Sequence, residues 1–522
     1  MKSFLERHAS GIFGVLRGFD RIRFRGTFRQ LATVSGMTTM LSFSKVLFKD
    51  FGSFAEQATQ RFRDGVQALA ARAGRPIRHV LRAEVDKEKL VDGIEKEQGA
   101  GRGGVLAILS AVEVCNSFDL HRNREQKILE LRPARRKCLH YYVYFQDPTF
   151  GRAQVRLQTW LPWNIHVVIN GREWLARQMD ADGLGYRRRD NCFAWIEDFK
   201  RAQDLFDRQL RIDWVSHLTR LLDQANPVWR GLLAPWELEP YWSAEQSEWA
   251  TDIAFRTGGD LRQLYPRLVH HAMRTFGSQE VMRFLGRNFS RQPYINGHFK
   301  GEVISDVAAR PEGIRVKHRV KGNAIKMYDK QGSVLRVETT INDARDLKSY
   351  RPAEGDPEGP RSYRPLRKGV ADLERRAELC DAANRRYLDA LSATEVTTPL
   401  KNLVGTLCCP VQHNGRRHRA LNPFQEDDAR LLATVARGEF LIKGFRNAEI
   451  RRALYGVDPQ DPIERRRRGS RVSRLLGLLR AHGLIKKIPH THRYLLTAQG
   501  RSTIPAILAA HEASINKLVQ AA

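Results

Sequence analysis

The chain has 522 residues, 42% of them hydrophobic, which is enough for about two to four domains with apolar cores. Its 88 lysine and arginine residues outnumber 58 acidic residues, and the formal net charge of +30 favours a polyanionic partner, above all nucleic acid. Apolar stretches of roughly eighteen residues are absent from the sequence, so we expect no membrane partner.

Cysteine usage and the first residues indicate a reducing compartment. The six cysteines are mostly isolated and do not form a disulfide framework. Residues 1–8 lack the apolar core and the cleavage site of a secretory signal. We therefore expect a cytoplasmic protein of bacterial type. The apolar patterns predict an α+β, multidomain fold, with no internal repeat in the sequence.

Composition shifts divide the chain into four regions. The first is a basic α/β region, the second a β-rich and helical core, the third a linker with a long helix, and the fourth a terminal domain. Their predicted bounds are 1–140, 141–350, 351–425 and 426–522.

The first region contains an arginine-rich strand. Within residues 19–28, Ile22 and Phe24 alternate with arginines as in a half-buried strand. The arginines would face the other side, where they can bind phosphates. They are Arg21, Arg23 and Arg25.

Two further features of this region carry alternative interpretations. Asp20, together with Glu113 or Asp119, would form the acidic cluster of an RNase H-like nuclease, although single acids in strands are usually surface residues. The glycine-rich turn at 99–104 suits a phosphate-binding loop, but the Lys-Ser/Thr of the Walker pattern is missing.

Residues 141–175 are predicted to form an antiparallel meander. The turn at Asp147-Pro148 separates the first two of three β-rich runs, and the turn at Asn170-Gly171 ends the third. Glu173 then fits the start of a helix. The aromatic side chains of these strands suit either the core or stacking on bases. Residues 175–290 are predicted to be a mainly helical scaffold.

The segment 322–342 is predicted to be a hairpin of two strands. Because side chains alternate along a strand, Lys326 and Tyr328 share one face of the first strand. Arg336 and Glu338 share one face of the second strand for the same reason. If the two faces coincide, a carboxylate lies beside a tyrosine and two cations.

This hairpin is a candidate catalytic site with a metal ion. Asp329 can join Glu338 as a second carboxylate, and hard cations such as Mg²⁺ or Mn²⁺ prefer oxygen ligands. Such an ion polarises a phosphodiester while lysine or arginine balances the developing charge. Alternatively, these charges only decorate a sheet, as cross-strand pairs commonly do.

The pattern Lys-x-Tyr-Asp-Lys followed by Leu-Arg-Val-Glu resembles a motif of rolling-circle replication initiators. These include the plasmid Rep-trans type and, more loosely, filamentous-phage nickases. The resemblance covers residues 314–342 and implies a metal-dependent nickase whose tyrosine attacks DNA and stays joined to the 5′ phosphate. The matching residues are Tyr328, Asp329, Lys330, Arg336 and Glu338.

Two parts of this motif are missing, namely the nucleophile on the preceding strand and a His-hydrophobic-His metal pair. The resemblance would place the nucleophile on the preceding strand, but residues 314–320 contain no tyrosine, and Tyr294 lies outside the pattern. A degenerate nickase fold that only binds nucleic acid is therefore a further interpretation.

The third region offers a helix and a group of metal-binding residue types. Apolar residues recur at heptad-like spacing between 373 and 391, which suits internal packing or the pairing of two subunits in a homodimer. Cys408, Cys409, His413 and His418 could bind zinc, but adjacent cysteines rarely bind one tetrahedral ion.

The last ninety or so residues are predicted to form two helices and two strands. A short helix after Asn447 leads through a polar, proline-containing connection, which includes the basic run 465–468, to a second helix that stops at Gly483. Two short strands follow at 484–488 and 493–496.

This order resembles the MarR-like winged-helix domains of bacterial DNA-binding proteins, whose second helix enters the major groove while the wing contacts the backbone. The resemblance implies duplex DNA binding, although winged helices also serve protein contacts. The residues predicted to contact nucleic acid are Arg465, Arg466, Arg467, Arg468, Arg471, Ser473, Arg474, Arg480, Lys486, Lys487, His492 and Arg493.

Three functions stay open at this point. The first is a mobile-element or replication-initiation-like protein that binds DNA and nicks one strand at a metal-dependent site. The second is a non-enzymatic winged-helix regulator. The third is an RNA-binding ribonucleoprotein subunit, because DNA and RNA expose the same phosphate charge. In each case we expect nucleic acid as the partner, with DNA favoured over RNA.

Overall fold

The protein consists of two compact units. The computed structural model describes residues 1–522 apart from 82–84, 190, 287–302, 312, 331, 346, 354, 393–403, 406, 438–439, 441–443, 489–490 and 513–522. Unit 1 comprises 1–273, 284–287 and 301–389, and unit 2 comprises 274–283, 288–300 and 390–522. Helices and strands are both abundant, which confirms the α+β class. No helix of the described ranges is long and apolar enough to span a membrane.

Unit 1 is built on a large sheet flanked by helices. The strands up to residue 365 are β1 (Ile12–Thr27), β2 (Ile77–His79), β3 (Val105–Asn123), β4 (Ile128–Asp147), β5 (Gly151–Gln158), β6 (Ile165–Asn170), β7 (Tyr186–Arg189), β8 (Cys192–Ile196), β9 (Tyr241–Phe255), β10 (Val303–Arg310), β11 (Gly313–Val320), β12 (Asn323–Lys330), β13 (Val334–Ile341), β14 (Lys348–Arg351) and β15 (Ser362–Pro365). The helices up to residue 392 are α1 (Lys2–Arg7), α2 (Val34–Phe43), α3 (Phe51–Ala73), α4 (Lys87–Gln98), α5 (Gly171–Ala181), α6 (Phe199–Asp207), α7 (Trp214–Ala225), α8 (Val228–Leu233), α9 (Gly258–Thr275), α10 (Ser278–Phe284) and α11 (Leu373–Ser392). All but the last residue of α10 belongs to unit 2.

The strands confirm several local predictions. β4, β5 and β6 form the antiparallel meander expected for 141–175, and β12 with β13 forms the expected hairpin. The boundary expected at residue 140 lies inside β4, because β4 pairs with β3 along nearly its whole length. The region 175–290 is not only helical, since it also contains β7, β8 and β9.

Two halves of the large sheet share one topology. Eleven strands lie in the order β10-β11-β12-β13-β9-β1-β6-β5-β4-β3-β2. The N-terminal half therefore runs β1-β6-β5-β4-β3 and the C-terminal half β9-β13-β12-β11-β10, with β1 antiparallel to β9. The ladder registers also correspond when Arg21 is matched with Glu248. An approximate twofold rotation thus relates the halves, although the sequence shows no repeat.

The sheet has two different faces. Residues directly opposite each other on neighbouring strands share a face. Trp249 accordingly lies on the same side as Phe19, whereas Glu248 lies on the other side with Arg21 and Thr340. We call the side of Trp249 the helix face and the side of Glu248 the polar face.

Helix α11 is held on the helix face by a buried asparagine. Asn384 Nδ2 donates to the carbonyl oxygens of Trp249 (3.1 Å) and Val337 (3.0 Å), and its Oδ1 accepts from Thr339 Oγ1 at 2.7 Å. The Asn384 side chain is fully buried, so these contacts are shielded from water. Internal packing, one of the two roles expected of this helix, is confirmed.

Helix α6 covers one end of the polar face. The rings of Phe199 and Phe206 lie so close to Gly14 and Gly18 of β1 that an added Cβ would come within 2.3 and 2.2 Å of them. Only glycine permits this approach. Polar-face side chains near this contact, such as Asp252, are buried.

Unit 2 has its own apolar core, formed by residues such as Ile450, Val472 and Ile485. Its helices include α12 (Glu426–Val435), α13 (Asn447–Tyr455), α14 (Pro462–Ala481) and α15 (Ala498–Glu512). Its strands are β16 (Val411–His413), β17 (Arg416–His418), β18 (Phe445–Arg446), β19 (Ile485–Lys487) and β20 (Arg493–Leu496), and the last three form a sheet in the order β18-β20-β19.

Two details of unit 2 differ from the sequence prediction. The basic run 465–468 belongs to α14, because Asp461 caps that helix by accepting from the backbone N–H of Ile463 at 3.0 Å. Asn447 is the first residue of α13 rather than its cap. Its side-chain amide instead donates to Ser473 Oγ on α14 at 2.8 Å.

We predict that Asn384→Ala lowers the free energy of unfolding by about 2–4 kcal/mol, because buried hydrogen-bond partners lose their donor and acceptor. Chemical denaturation of the full chain measures this change. Glu378→Ala, an exposed position on the same helix, is the control and should change stability by less than about 0.5 kcal/mol. Equal stabilities of the two variants would contradict the structural role of Asn384.

Candidate metal and nucleic-acid site

A group of buried charges lies at the centre of the sheet, where β1, β9, β12 and β13 meet. Its acidic members are Asp20, Glu248, Asp252 and Glu338, and its basic members are Arg172, Lys326, Lys330 and Arg336. Because isolated charges are costly to bury, the equal numbers of acids and bases make this arrangement tolerable.

Three of the carboxylates converge. One oxygen each from Asp20, Glu248 and Glu338 lies within 4.8 Å of the others. Asp20 reaches this position because β1 has an irregularity between Phe19 and Arg21, so Asp20 is an extra residue opposite β9. Such bulges redirect side chains. Of the three carboxylates, Glu248 is the one that is not fully buried, at 16% side-chain exposure.

Lys326 holds two of these carboxylates together. Its Nζ lies 2.6 Å from Glu338 Oε1 and 3.2 Å from Glu248 Oε1. Burial alone would raise the pKa of Glu338, but Lys326 and Arg336 outweigh it and hold that pKa below its usual value. Burial, aided by Glu338, raises the pKa of Glu248.

Arg336 ties the cluster to its neighbours. Its guanidinium makes a bidentate contact with Asp252 at 2.6 and 2.8 Å and lies 3.2 Å from Asp20. Arg172 at the start of α5 lies 3.2 Å from Asp252. Asn191 adds a hydrogen bond from Nδ2 to Asp20 at 3.0 Å.

The donor set fits a hard divalent cation. Three carboxylates supply only oxygen atoms, which Mg²⁺ and Mn²⁺ prefer. Burial raises the pKa values of both Asp20 and Glu248, and nearby carboxylates add to the effect. A bound cation would stabilise the charged forms of both groups. The ions expected from the sequence are therefore compatible with these residues.

Tyr328 lies on the polar face next to this group. It pairs with Arg336 across the β12–β13 ladder and is two residues from Lys326 on the same strand. The ring lies 5.2 Å from Lys330 Nζ. Burial and, to a smaller extent, the negative charge of Glu338 raise the pKa of Tyr328. The phenol is therefore protonated near neutral pH.

The structure brings together four of the five catalytic residues predicted from the hairpin. Tyr328, Lys330, Arg336 and Glu338 belong to the cluster or adjoin it, as the register requires. Asp329 does not, which corrects its expected pairing with Glu338 as a metal ligand. It faces the opposite side from Tyr328, and its Oδ1 accepts from Gly332 N at 2.9 Å. Tyr294 lies outside the described residues.

The sequence prediction missed Glu248 and misassigned the partners of Asp20. Glu113 contacts Arg156 at 2.7 Å and Asp119 contacts Arg136 at 2.6 Å, so neither joins Asp20. Glu248 was hidden because β9 lies in a region expected to be helical. Trp249, Thr251 and Ile253, residue types that are enriched in strands, stand at alternate positions of this segment and were the signal that could have revealed it.

The arginines predicted to bind phosphates lie beside the carboxylates on the polar face. Arg21 pairs across strands with Glu248 and is exposed. Arg23 contacts Glu245 at 3.0 Å, and Arg25 donates to the neutral Asn164 Oδ1 at 2.8 Å.

Unit 2 carries a separate basic surface. A groove of about 490 Å³ between α13 and α14 is lined by Asn447, Arg451, Pro462, Arg465, Arg466, Gly469, Ser470 and Ser473. The other predicted contact residues of α14 include Arg467, Arg471 and Arg474, which are exposed, whereas Arg480 is partly buried and Arg468 contacts Glu464 at 3.1 Å. Lys486, Lys487 and His492 are exposed, and Arg493 begins β20.

The cysteine and histidine group of the third region does not converge. Cys408 and Cys409 are exposed, and the rings of His413 and His418 lie 6.5 Å apart on β16 and β17. Among the described residues, the carboxylate cluster of unit 1 is the one group of three or more such side chains that could hold a metal ion.

Comparison with protein-family models, with curated proteins and with solved structures gives no match to this chain.

We predict that Arg336→Met lowers the free energy of unfolding by about 3–5 kcal/mol at pH 8, because it leaves buried Asp20 and Asp252 without their main counter-charge. Without Arg336, the folded-state pKa of Asp20, which burial already raises, increases further, and the pKa of Asp252, which its arginine neighbours hold below the usual value, increases as well. The folded state therefore binds more protons and regains stability as the pH falls toward 5. Denaturation at several pH values measures this trend.

Arg319→Met is the control for this experiment, since Arg319 is 48% exposed on β11. Its stability should follow that of the unmodified protein at every pH. A loss for Arg336→Met that stays constant from pH 8 to pH 5 would show that Asp20 and Asp252 do not depend on Arg336.

Proposed function

We propose that the protein binds nucleic acid and cleaves a phosphodiester bond with the help of a divalent metal ion held by Asp20, Glu248 and Glu338. The observation that carries this proposal is the convergence of these three carboxylates beside Tyr328 and Lys326. The formal charge of +30 supports a polyanionic substrate. When bound, the metal ion would polarise the phosphodiester and offset its negative charge.

The side chains supply the remaining roles. The Tyr328 oxygen attacks phosphorus, a bond from this oxygen to phosphorus forms, and the bond to the 3′ oxygen breaks. Glu248, the least buried of the three carboxylates, would accept the proton of the phenol through the carboxylate oxygen that does not hold the ion. The departing 3′ oxygen takes a proton from water. Lys326 keeps the two carboxylates in place and balances charge on the phosphoryl oxygens.

We predict that Glu338→Gln and Glu248→Gln each reduce Mg²⁺- or Mn²⁺-dependent cleavage of single-stranded or supercoiled DNA by about 100-fold or more, because each removes a ligand or a base. Asp329→Asn is the matched control. It lies on the same hairpin but faces the other side, and an amide oxygen can still accept from Gly332 N. It should keep nearly full activity.

Tyr328→Phe is expected to abolish the covalent protein–DNA adduct, which denaturing electrophoresis detects with a labelled strand. Cleavage that survives in Tyr328→Phe would exclude Tyr328 as the nucleophile but leave the metal site intact. Equal activity of Glu338→Gln and Asp329→Asn would exclude the metal site itself.

A second candidate function is nucleic-acid binding without cleavage. The observation that favours it is the balance of four acidic and four basic groups in the cluster, with Lys326 already between two carboxylates. In that case the cluster only stabilises the sheet, and no cleavage appears with any divalent ion while salt-sensitive binding persists.

We further propose that the last part of unit 2 is a winged helix that binds duplex DNA. The succession of α13, α14 and a small sheet supports this, as does the exposure of Arg471 and Arg474 on α14. Hydrogen bonds from Asn447 to Gly469 and Ser473 fix α13 against α14 in the manner of a helix-turn-helix pair.

The double variant Arg471→Gln/Arg474→Gln should weaken duplex DNA binding by about tenfold or more. If both side chains contact phosphates, the slope of log K against log salt falls by about 0.9 for each. Arg452→Gln, at an exposed position of α13, is the control and should keep both affinity and slope. Unchanged binding in the double variant would contradict duplex recognition by α14.

A further inference from the structure

The N-terminal half of the sheet corresponds to the C-terminal half but carries different chemistry. We infer that its polar face is a metal-free counterpart of the carboxylate site that binds the sugar-phosphate backbone of the same nucleic-acid strand. This inference rests on the proposed function and adds the path that the strand follows on either side of the cleaved bond.

The correspondence follows from the strand registers. The pair of Arg25 and His166 in the N-terminal half occupies the position of the pair of Asp252 and Arg336. One strand further out, the ladders again correspond: the partner of His166 is Arg156, and the partner of Arg336 is Tyr328. In the same way, Gln154 occupies the position of Lys326, and Val168 occupies the position of Glu338.

The polar-face side chains of β1 and of β9 differ in charge at positions that the rotation matches. Where β9 carries Glu248, Ala250 and Asp252, β1 carries Arg21, Arg23 and Arg25. The rotation that relates the halves therefore places three guanidinium groups where the other half has two carboxylates. Such a surface cannot hold a cation, but it suits phosphate oxygens.

Part of this positive charge is not held in an ion pair among the described residues. Arg21 is exposed and forms no ion pair within the described ranges. Arg25 is half-buried, and its hydrogen bonds go to the neutral amide of Asn164. Glu245 interacts with it electrostatically but forms its ion pair with Arg23. Arg23 and Arg156, in contrast, are compensated by Glu245 and Glu113. Arg21 and Arg25 are thus the residues best suited to contact an added anion.

The geometry connects this surface with the cleavage site. Arg21 lies directly opposite Glu248 on the neighbouring strand, and alternate residues of a strand are about 6.7 Å apart. The arginines on alternate positions of β1 therefore lead away from the carboxylates in steps comparable to the phosphate spacing of an extended strand. A single-stranded segment can follow β1 into the site.

The test measures the binding of two oligonucleotides, one of twelve thymidine and one of twelve uridine nucleotides, to the full chain. Binding is measured in EDTA and over a range of salt concentrations. The Arg471→Gln/Arg474→Gln background limits the contribution of α14. Adding Arg21→Gln and Arg25→Gln should weaken binding about tenfold and lower the salt slope by about 0.7 for each lost phosphate contact. Arg61→Gln, exposed on α3, is the control.

The outcomes separate this inference from the proposed function. Affinity and slope equal to those of Arg61→Gln would overturn it, whether or not the protein cleaves DNA. A loss in EDTA supports it even if no metal ion ever gives cleavage, and a loss for one oligonucleotide alone assigns the strand to DNA or to RNA. The single variant Arg21→Gln keeps the test valid if the variant that also carries Arg25→Gln misfolds. The Arg21 side chain is exposed and makes no ion pair among the described residues, so its loss should not affect folding. This variant should still lower the salt slope by about 0.7.

Discussion

The balance of buried charge at the centre of the sheet is the constraint on which unit 1 depends. Asp20 and Asp252 are buried on β1 and β9, and their counter-charge comes from Arg336 on β13 and Arg172 on α5. No single one of these elements carries both an acidic and a basic member of these four residues. The buried charges therefore compensate each other only when both halves of the sheet are assembled. The same group also positions Glu248 and Glu338. Stability and the proposed chemistry therefore depend on one set of contacts.

Local patterns predicted much of the fold near the site. The β12–β13 hairpin follows from the alternation of side chains, and this is why Lys326, Tyr328 and Glu338 could be placed on a common face. The same alternation, applied to Asp329, argues against the pairing with Glu338 that was expected. The long helix α11 was predicted from its apolar spacing, and its packing against Trp249 needed the three-dimensional arrangement.

The remaining members of the site could not be predicted from local patterns. Asp20 reaches the cluster through an irregularity in β1, and the partner that creates this irregularity is β9, more than two hundred residues away. The registers of β1 and β9 depend on strand pairing across the whole unit. Likewise, the likeness of the two halves lies in topology and register rather than in residue identity, so the sequence shows no repeat.

The order of strands also affects synthesis of the chain on the ribosome. β1 leaves the ribosome first, yet one of its neighbours is β9, which follows about two hundred residues later, and β9 in turn waits for β13. Until then the nascent chain exposes a long strand edge with unpaired backbone groups, an arrangement prone to aggregation. Asp20 likewise remains without Arg336 during this interval. The arginines and the one acidic residue of β1, Asp20, are poorly suited to pairing with a hydrophobic strand of another chain. They therefore protect the incomplete chain from association with other chains that are synthesised on the same messenger RNA.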